Sequence, residues 1–157
     1  MKFTLREARP EDITALAYMV GETIVRVNSK DYLPPQVTAW AARASSAARW
    51  KELFGTGLAF FVAENPAGEI VGVSSVNDRG YLHSMFVDYR YQGMGIASAL
   101  LERARQHAVC AGTKEMTSEV SIMARPFFES RGFRVEKEQE VMVGTISMKN
   151  YFMKRRL

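Results

Sequence analysis

The sequence predicts an α/β protein of the α+β type: one domain over residues 1–157, with a central, mostly antiparallel sheet of seven strands flanked by helices. Three observations predict it. Three apolar strand-like runs between Leu58 and Val87 are joined only by the short turns Asn65-Pro66-Ala67-Gly68 and Asn77-Asp78-Arg79-Gly80. Connections that short can join only antiparallel neighbours, so these runs form a meander. Apolar residues recur at helical spacing before and after that meander. The chain is also 47% hydrophobic and 24% charged over 157 residues, an ordinary globular composition with enough length for one core and no room for a second domain.

The elements follow in order. Phe3 to Ala8 alternates as a first strand. Arg9-Pro10-Glu11-Asp12 then opens a helix, with Pro in its first turn and two acids at the positive end of its dipole. Ile13, Leu16, Ala17, Val20, Ile24 and Val27 mark one face of that helix, which runs to about Val27. Pro34-Pro35 opens a second helix carrying Val37 and Trp40, and Ser45-Ser46 caps a third with Trp50, Leu53 and Phe54 before Gly55. Leu58–Ala63, Glu69–Val76 and Tyr81–Val87 are the meander strands. Ile96, Ala97, Leu100, Leu101, Ala104 and Ala108 form the stripe of a long helix that Gly112 ends. A strand near Glu115–Val120 follows, then a short helix around Pro126–Glu129 stopped by Gly132, and two last strands on either side of Gly144, ending near Tyr151 to Met153.

Charge and cysteine content exclude several function classes. The net charge is +4, yet Lys and Arg are scattered and only Lys154-Arg155-Arg156 clusters, so a solvated tail is expected rather than a nucleic-acid face. The single cysteine, Cys110, cannot form an internal disulfide and reads as a core thiol on the buried side of a helix end, in a reducing compartment. The N-terminal Met1-Lys2-Phe3-Thr4-Leu5-Arg6-Glu7 lacks a signal-peptide run, and no stretch approaches the roughly 18 apolar residues of a membrane span. A cytoplasmic protein without nucleic-acid or membrane partners is expected. No cluster of His, Cys and carboxylates has metal spacing, so no metal is expected either.

The chemistry concentrates between Met85 and Leu101, where an apolar strand passes through a glycine-containing turn straight into a helix. Gly93 and Gly95 let backbone amides approach a ligand closely, and the new helix adds unpaired N–H groups and a positive end, a combination suited to a pyrophosphate. On the glycines alone, a tight strand-to-helix connection is the better explanation of the turn. The dinucleotide fingerprint G-x-G-x-x-G fails because position 98 is Ser, and a P-loop Gly-Lys-Ser/Thr is absent. What remains, Gln92-x-x-Gly95-x-Ala97, resembles the acyl-CoA signature Q/R-x-x-G-x-G/A of the GNAT superfamily of N-acyltransferases. Ala124-Arg125-Pro126-Phe127-Phe128-Glu129-Ser130-Arg131-Gly132-Phe133 is similar to that family's A-x-x-x-(F/Y)-E-x-x-G-F segment, in a little-characterised bacterial branch with Pro-Phe-Phe-Glu.

The resemblance covers nearly the whole chain and implies a mixed sheet whose fourth and fifth strands splay apart. It implies acetyl-CoA as co-substrate, with the pantetheine arm beside Met85, Phe86 and Val87. The pyrophosphate would lie on the amides of Gln92, Gly93, Met94, Gly95, Ile96 and Ala97, with Ser98 nearby. Ser121 stands where many relatives have Asn, and its hydroxyl can bind the arm or cap the following helix. The reaction implied is direct attack on the thioester by a primary amine of a small molecule or peptide; a non-catalytic acyl-CoA-binding module is the alternative, and a homodimer is left open.

Relatives commonly meet the oxyanion with a fourth-strand amide, here that of Met85, and many protonate the departing thiolate with a tyrosine at the position of Phe128. Phe128 cannot give a proton, so that role does not carry over and packing against the short helix or the thioester end is expected instead. For the base, strand alternation puts Tyr81, His83, Met85 and Val87 on one face. His83 titrates near neutrality and can take a proton directly or through water, or can be a half-buried histidine bonded to a neighbour. Tyr81 suits an acid better than a base, and Glu119 on the fifth strand is the third candidate. His107 belongs to the polar shoulder of the long helix. The family's acceptor side corresponds to the N-terminal helices and last strands, which carry Tyr32, Trp40, Trp50 and Tyr151, although aromatics at such spacing usually build core.

Overall fold

A computed structural model describes residues 2–157. Strands β1 (Thr4–Glu7), β2 (Ala59–Glu64), β3 (Ile70–Val76) and β4 (Tyr81–Val87) form the expected antiparallel meander. Helix α4 (Ile96–Cys110) then carries the chain back over the sheet, so β5 (Glu115–Val120) pairs with β4 in parallel. The last strand, β7 (Ile146–Arg156), inserts between β5 and β6 (Arg134–Val143), antiparallel to both. The seven-stranded order is β1-β2-β3-β4-β5-β7-β6.

Both faces of the sheet are covered, which is why β2 and β3 read as apolar runs rather than as alternating stripes. Phe60 and Val62 point to a core with α1 (Ile13–Val27), α2 (Pro34–Ala44) and α3 (Ala47–Phe54). Phe61 and Ala63 point the other way, to a core with α4 and α5 (Arg125–Ser130). The α4 side packs closely enough to require glycine at position 72, where a Cβ would stand 2.9 Å from both Ile96 Cγ2 and Leu100 Cδ1. That contact fixes the height of α4 over β3, and with it the turn that precedes α4.

Several sequence-based expectations are corrected. The first strand is shorter than Phe3–Ala8, and α1 begins at Ile13 because Pro10–Asp12 forms a 3-10 turn. Cys110 is exposed, not a core thiol. It lies two residues past buried Ala108, about 200° round a helix of 3.6 residues per turn, which turns it to solvent. Lys154-Arg155-Arg156 is not a tail but the end of β7, where Arg155 pairs with Met116, Arg156 with Glu115, and the Lys154 ammonium lies 3.9 Å from the Glu115 carboxylate. No helix among the described residues is long and apolar enough to cross a membrane, and none of their His, Cys, Asp and Glu groups is arranged to hold a metal ion.

Candidate active site

The site is a wedge between the two parallel strands. The β4–β5 ladder consists of Tyr81 opposite Thr117 and Leu82 opposite Ser118, and goes no further. Where it stops, the buried Ser118 hydroxyl donates to the Leu82 carbonyl at 2.8 Å, so a side chain replaces the next backbone bond. Beyond that point the facing edges of Met85–Val87 and Val120 diverge around a cavity of about 650 Å³.

One end of the cavity is made of backbone. Buried Asp88 accepts from the Arg90 amide at 2.9 Å and starts the 3-10 turn Tyr89–Tyr91, and Gln92 Nε2 donates to the Val87 carbonyl at 2.7 Å. Gly93 and Gly95 then take φ of 73° and 85°, the left-handed region that a side chain rarely adopts. An added Cβ on either would meet nothing within 4 Å, so the turn faces open space. Gly95 begins α4 without a side-chain cap, and the first helical bond runs from the Ala99 amide to the Gly95 carbonyl at 3.1 Å. The amides of Ile96, Ala97 and Ser98 therefore have no helical acceptor. The Arg131 guanidinium stacks 5.3 Å over Phe127 and donates to the Ser98 hydroxyl, adding a cation beside those amides. Free amides, a positive helix end and a guanidinium fit a pyrophosphate.

The other end is made of side chains. Register slips between Ser75 and Val76, which pair with Ser84 and Leu82, so His83 is the extra residue of a β-bulge. The bulge breaks the expected alternation. Met85 and Val87 pack with the α4-side core and Phe86 with the α1-side core, whereas His83 lies within electrostatic reach of Arg43 and Arg49 on α2 and α3. His83 Nδ1 is buried and has no hydrogen-bond partner among the described residues. Burial, with Arg49 and Arg43 adding to it and Glu119 opposing, holds the His83 pKa below its ordinary value, so the ring is neutral at neutral pH.

Glu119 on β5 is exposed and lines the same cavity. It accepts from the Tyr81 hydroxyl at 3.2 Å and from Gln139 Nε2 at 3.0 Å, and Gln139 also donates to Asn150 at 2.9 Å. Burial and the Glu119 carboxylate push the Tyr81 pKa up to about 12, which makes this phenol a weaker acid than a free one. The Tyr81 and His83 rings meet edge to face at 6.1 Å, so the three catalytic candidates form one cluster. Across from it, the buried Tyr32 hydroxyl donates to the Lys149 carbonyl at 2.7 Å and accepts from the Ile122 amide at 3.1 Å.

Residues 28–155 match the family model described as an acetyltransferase (GNAT) domain. The chain belongs to the GNAT acetyltransferases. It is an acyltransferase by that membership, and the sequence resemblance is borne out. An uncharacterized N-acetyltransferase, YafP of Escherichia coli K12, is 31% identical over 96% of this chain and 93% of its own. A GCN5-related N-acetyltransferase from Rhodopseudomonas palustris superposes with a TM-score of 0.93 at 24% identity, covering 100% of this chain and 97% of that one. PaiA N-acetyltransferase from Thermoplasma acidophilum, solved in complex with coenzyme A, gives a TM-score of 0.80 at 17% identity over 100% of both chains. These two likenesses establish the shared fold.

In this GNAT chain the cavity gathers most of the residues singled out from sequence. His83, Glu119, Met85, Phe86, Val87, Gln92, Gly93, Gly95, Ile96, Ala97, Ser98, Ser121 and Phe128 all line it. Tyr81 and Met94 do not: Tyr81 stands behind Glu119, and Met94 turns outward, 44% exposed. The Ser121 hydroxyl accepts from the Ala124 amide at 3.3 Å, capping the turn before α5, and keeps its own hydrogen to donate. Phe128 is 4% exposed and packs edge-on against Phe133 at 5.1 Å, the packing role expected of it. The sequence reading missed Arg43, Arg49, Arg131, Gln139 and Asn150 as cavity residues or partners of cavity residues. Arg131 sits inside the quoted Phe-Glu-Ser-Arg-Gly-Phe segment and was findable there. The others carry no local signal.

Proposed function

We propose that this GNAT acyltransferase binds acetyl-CoA in the β4–β5 wedge and acetylates a primary amine of a small molecule or peptide. The observation that carries the reading is the continuity of the two ends. A turn with two left-handed glycines, open to space, and the free amides of α4 share one cavity with a neutral, half-buried histidine and a carboxylate.

The groups that would hold the co-substrate are the amides from Gln92 to Ala97 and Arg131 at the phosphates, with the diverging edge of Met85–Val87 beside the pantetheine. Bound there, acetyl-CoA supplies an activated acyl carbon: a nitrogen–carbon bond forms, the carbon–sulfur bond breaks, the thiolate leaves, and the amine loses one proton. His83 receives that proton on its imidazole, directly or through water, because its depressed pKa leaves the ring neutral at neutral pH. Glu119 attracts the incoming ammonium and orients it, and that ammonium gives its first proton to solvent before attack. The Met85 amide is the donor nearest in kind to an oxyanion hole. Phe128 closes the apolar wall and handles no proton, so the thiolate is protonated from water.

The test is a thermal-shift and turnover experiment. Millimolar acetyl-CoA should raise Tm while NAD and ATP do not, since a ligand that binds only the native state stabilises it by mass action. Free thiol should then appear when amines are added. No Tm shift with acetyl-CoA rejects the reading.

A further inference from the structure

At the acceptor end the cavity wall carries two cations that the fold does not neutralise. Arg43 comes from the last turn of α2 and Arg49 from α3, one on each side of the corner at Ser45-Ser46, and both line the cavity. Among the described residues neither forms an ion pair. Lys149, which also lines the cavity, is held by Glu138 at 3.0 Å, and Arg131 lies at the opposite end beside Ser98. Glu119, the facing carboxylate, is already engaged by Tyr81 and Gln139.

Arg49 is half-buried, which removes part of its hydration, and the exposed Arg43 guanidinium near it adds like-charge repulsion. Each effect lowers the pKa of Arg49, with burial the larger and Arg43 next, against a smaller opposing pull from Glu52. The same wall is aromatic: Trp50 is 4% exposed with its indole N–H spent on the Ala44 carbonyl, and Trp40 meets Phe86 at a tilt, ring centroids 6.1 Å apart. Apolar surroundings strengthen any charge interaction made there. Such an arrangement is stable when a ligand brings the missing negative charge.

We propose that the acceptor is a small amine that also bears a carboxylate, which the Arg43–Arg49 wall holds while the amino group turns toward His83 and Glu119. The inference rests on the acetyl-transfer reading above and names its substrate class. Guanidinium forks match carboxylates in a two-point geometry, so the wall selects as well as attracts. An amine that is neutral or purely cationic elsewhere leaves the two arginines facing each other unpaired.

The experiment measures thiol release from acetyl-CoA with a panel of L-amino acids and their matched carboxamides. The carboxylate member of a pair should be preferred by about 10-fold or more in kcat/KM, the scale of a charge-assisted hydrogen bond. Arg49→Gln should collapse that preference mainly through KM, Arg49→Lys should restore part of it, and Arg43→Gln should reduce it less. Equal or better turnover of the carboxamides overturns the inference. So does failure of every carboxylate-bearing amine, or an unchanged preference in Arg49→Gln with Tm and acetyl-CoA affinity intact. If acetyl-CoA itself does not stabilise the wild-type protein, the acetyl-transfer reading fails and the inference falls with it. If acetyl-CoA binds and no preference exists, the inference fails alone.

Discussion

The two ends of the cavity are built from different materials. The α4 end is main chain: two glycines in left-handed geometry and a helix start with free amides, contributed by one continuous stretch. The β4–β5 end is side chain: His83, Glu119, Arg43, Arg49 and Tyr32 arrive from five separate elements or connections. A main-chain site tolerates most side-chain changes but not a change in backbone freedom. A side-chain site responds residue by residue, and its specificity can diverge while the fold and the first end stay fixed.

The contrast can be broken most strongly at His83. His83→Ala should lower kcat by about 10²-fold, the usual scale of general-base catalysis. Because burial depresses the His83 pKa, the ascending limb of kcat/KM in the wild type should lie below the ordinary imidazole range and vanish in the variant. The same shift has a stability sign. The unfolded chain takes the proton more readily, so native stability is full above the ordinary value and is lost as pH falls through it toward the folded pKa. Denaturant titrations of wild type and variant at descending pH should converge as this loss proceeds. Full activity with an unchanged pH profile would remove His83 from the chemistry.

At the main-chain end, Gly95→Val should weaken acetyl-CoA binding by about 10-fold or more, since a left-handed valine costs roughly 1–2 kcal/mol and its branches stand over the open amides. No neighbour would clash, so circular dichroism should show the fold retained. Calorimetric affinity equal to wild type in that folded variant would reduce the turn to a connector. A smaller effect is expected at the apex of the wedge. Ser118→Ala leaves the Leu82 carbonyl without its donor and should cost about 1 kcal/mol, seen as a Tm lower by about 2–4 °C. Smallest of all is Tyr81→Phe, which should keep kcat within about threefold, the scale of one hydrogen bond reached by solvent. A phenol pushed up to about 12 and bonded to Glu119 is a support rather than the proton donor. A larger drop would restore it to the chemistry.

The sequence made the first end legible and the second only in part, for a physical reason. Gln92, Gly93, Gly95 and Ala97 act through local backbone geometry, which a single short segment encodes. The meander and α4 were likewise readable from turn residues and a stripe, because local spacing determines them. His83 was found for a reason that fails in detail, since strict alternation does not survive the bulge opposite Ser75 and Val76, and no residue type there announces it. Arg43 and Arg49 read as ordinary polar positions of two amphipathic helices. Only the packing of α2 and α3 on α1, with α2 also against β6 and β7, brings them to the cavity. Cys110 shows the same limit in reverse: two residues of helical rotation decide between core and solvent, and the helix end was not known that closely.

Tyr32 has a consequence for the order in which the molecule is assembled. Its hydroxyl ties residues 117 and 90 positions away in the chain, Lys149 in the final strand and Ile122 after β5. Bringing such distant partners together costs loop entropy that local contacts do not. The α4 turn can close as soon as its own helix forms, but the opposite wall lacks its Lys149 anchor until β7 slides between β5 and β6. In the order of synthesis, the turn with the acyl-CoA signature is therefore complete dozens of residues before Lys149, the last peg of the wall opposite it.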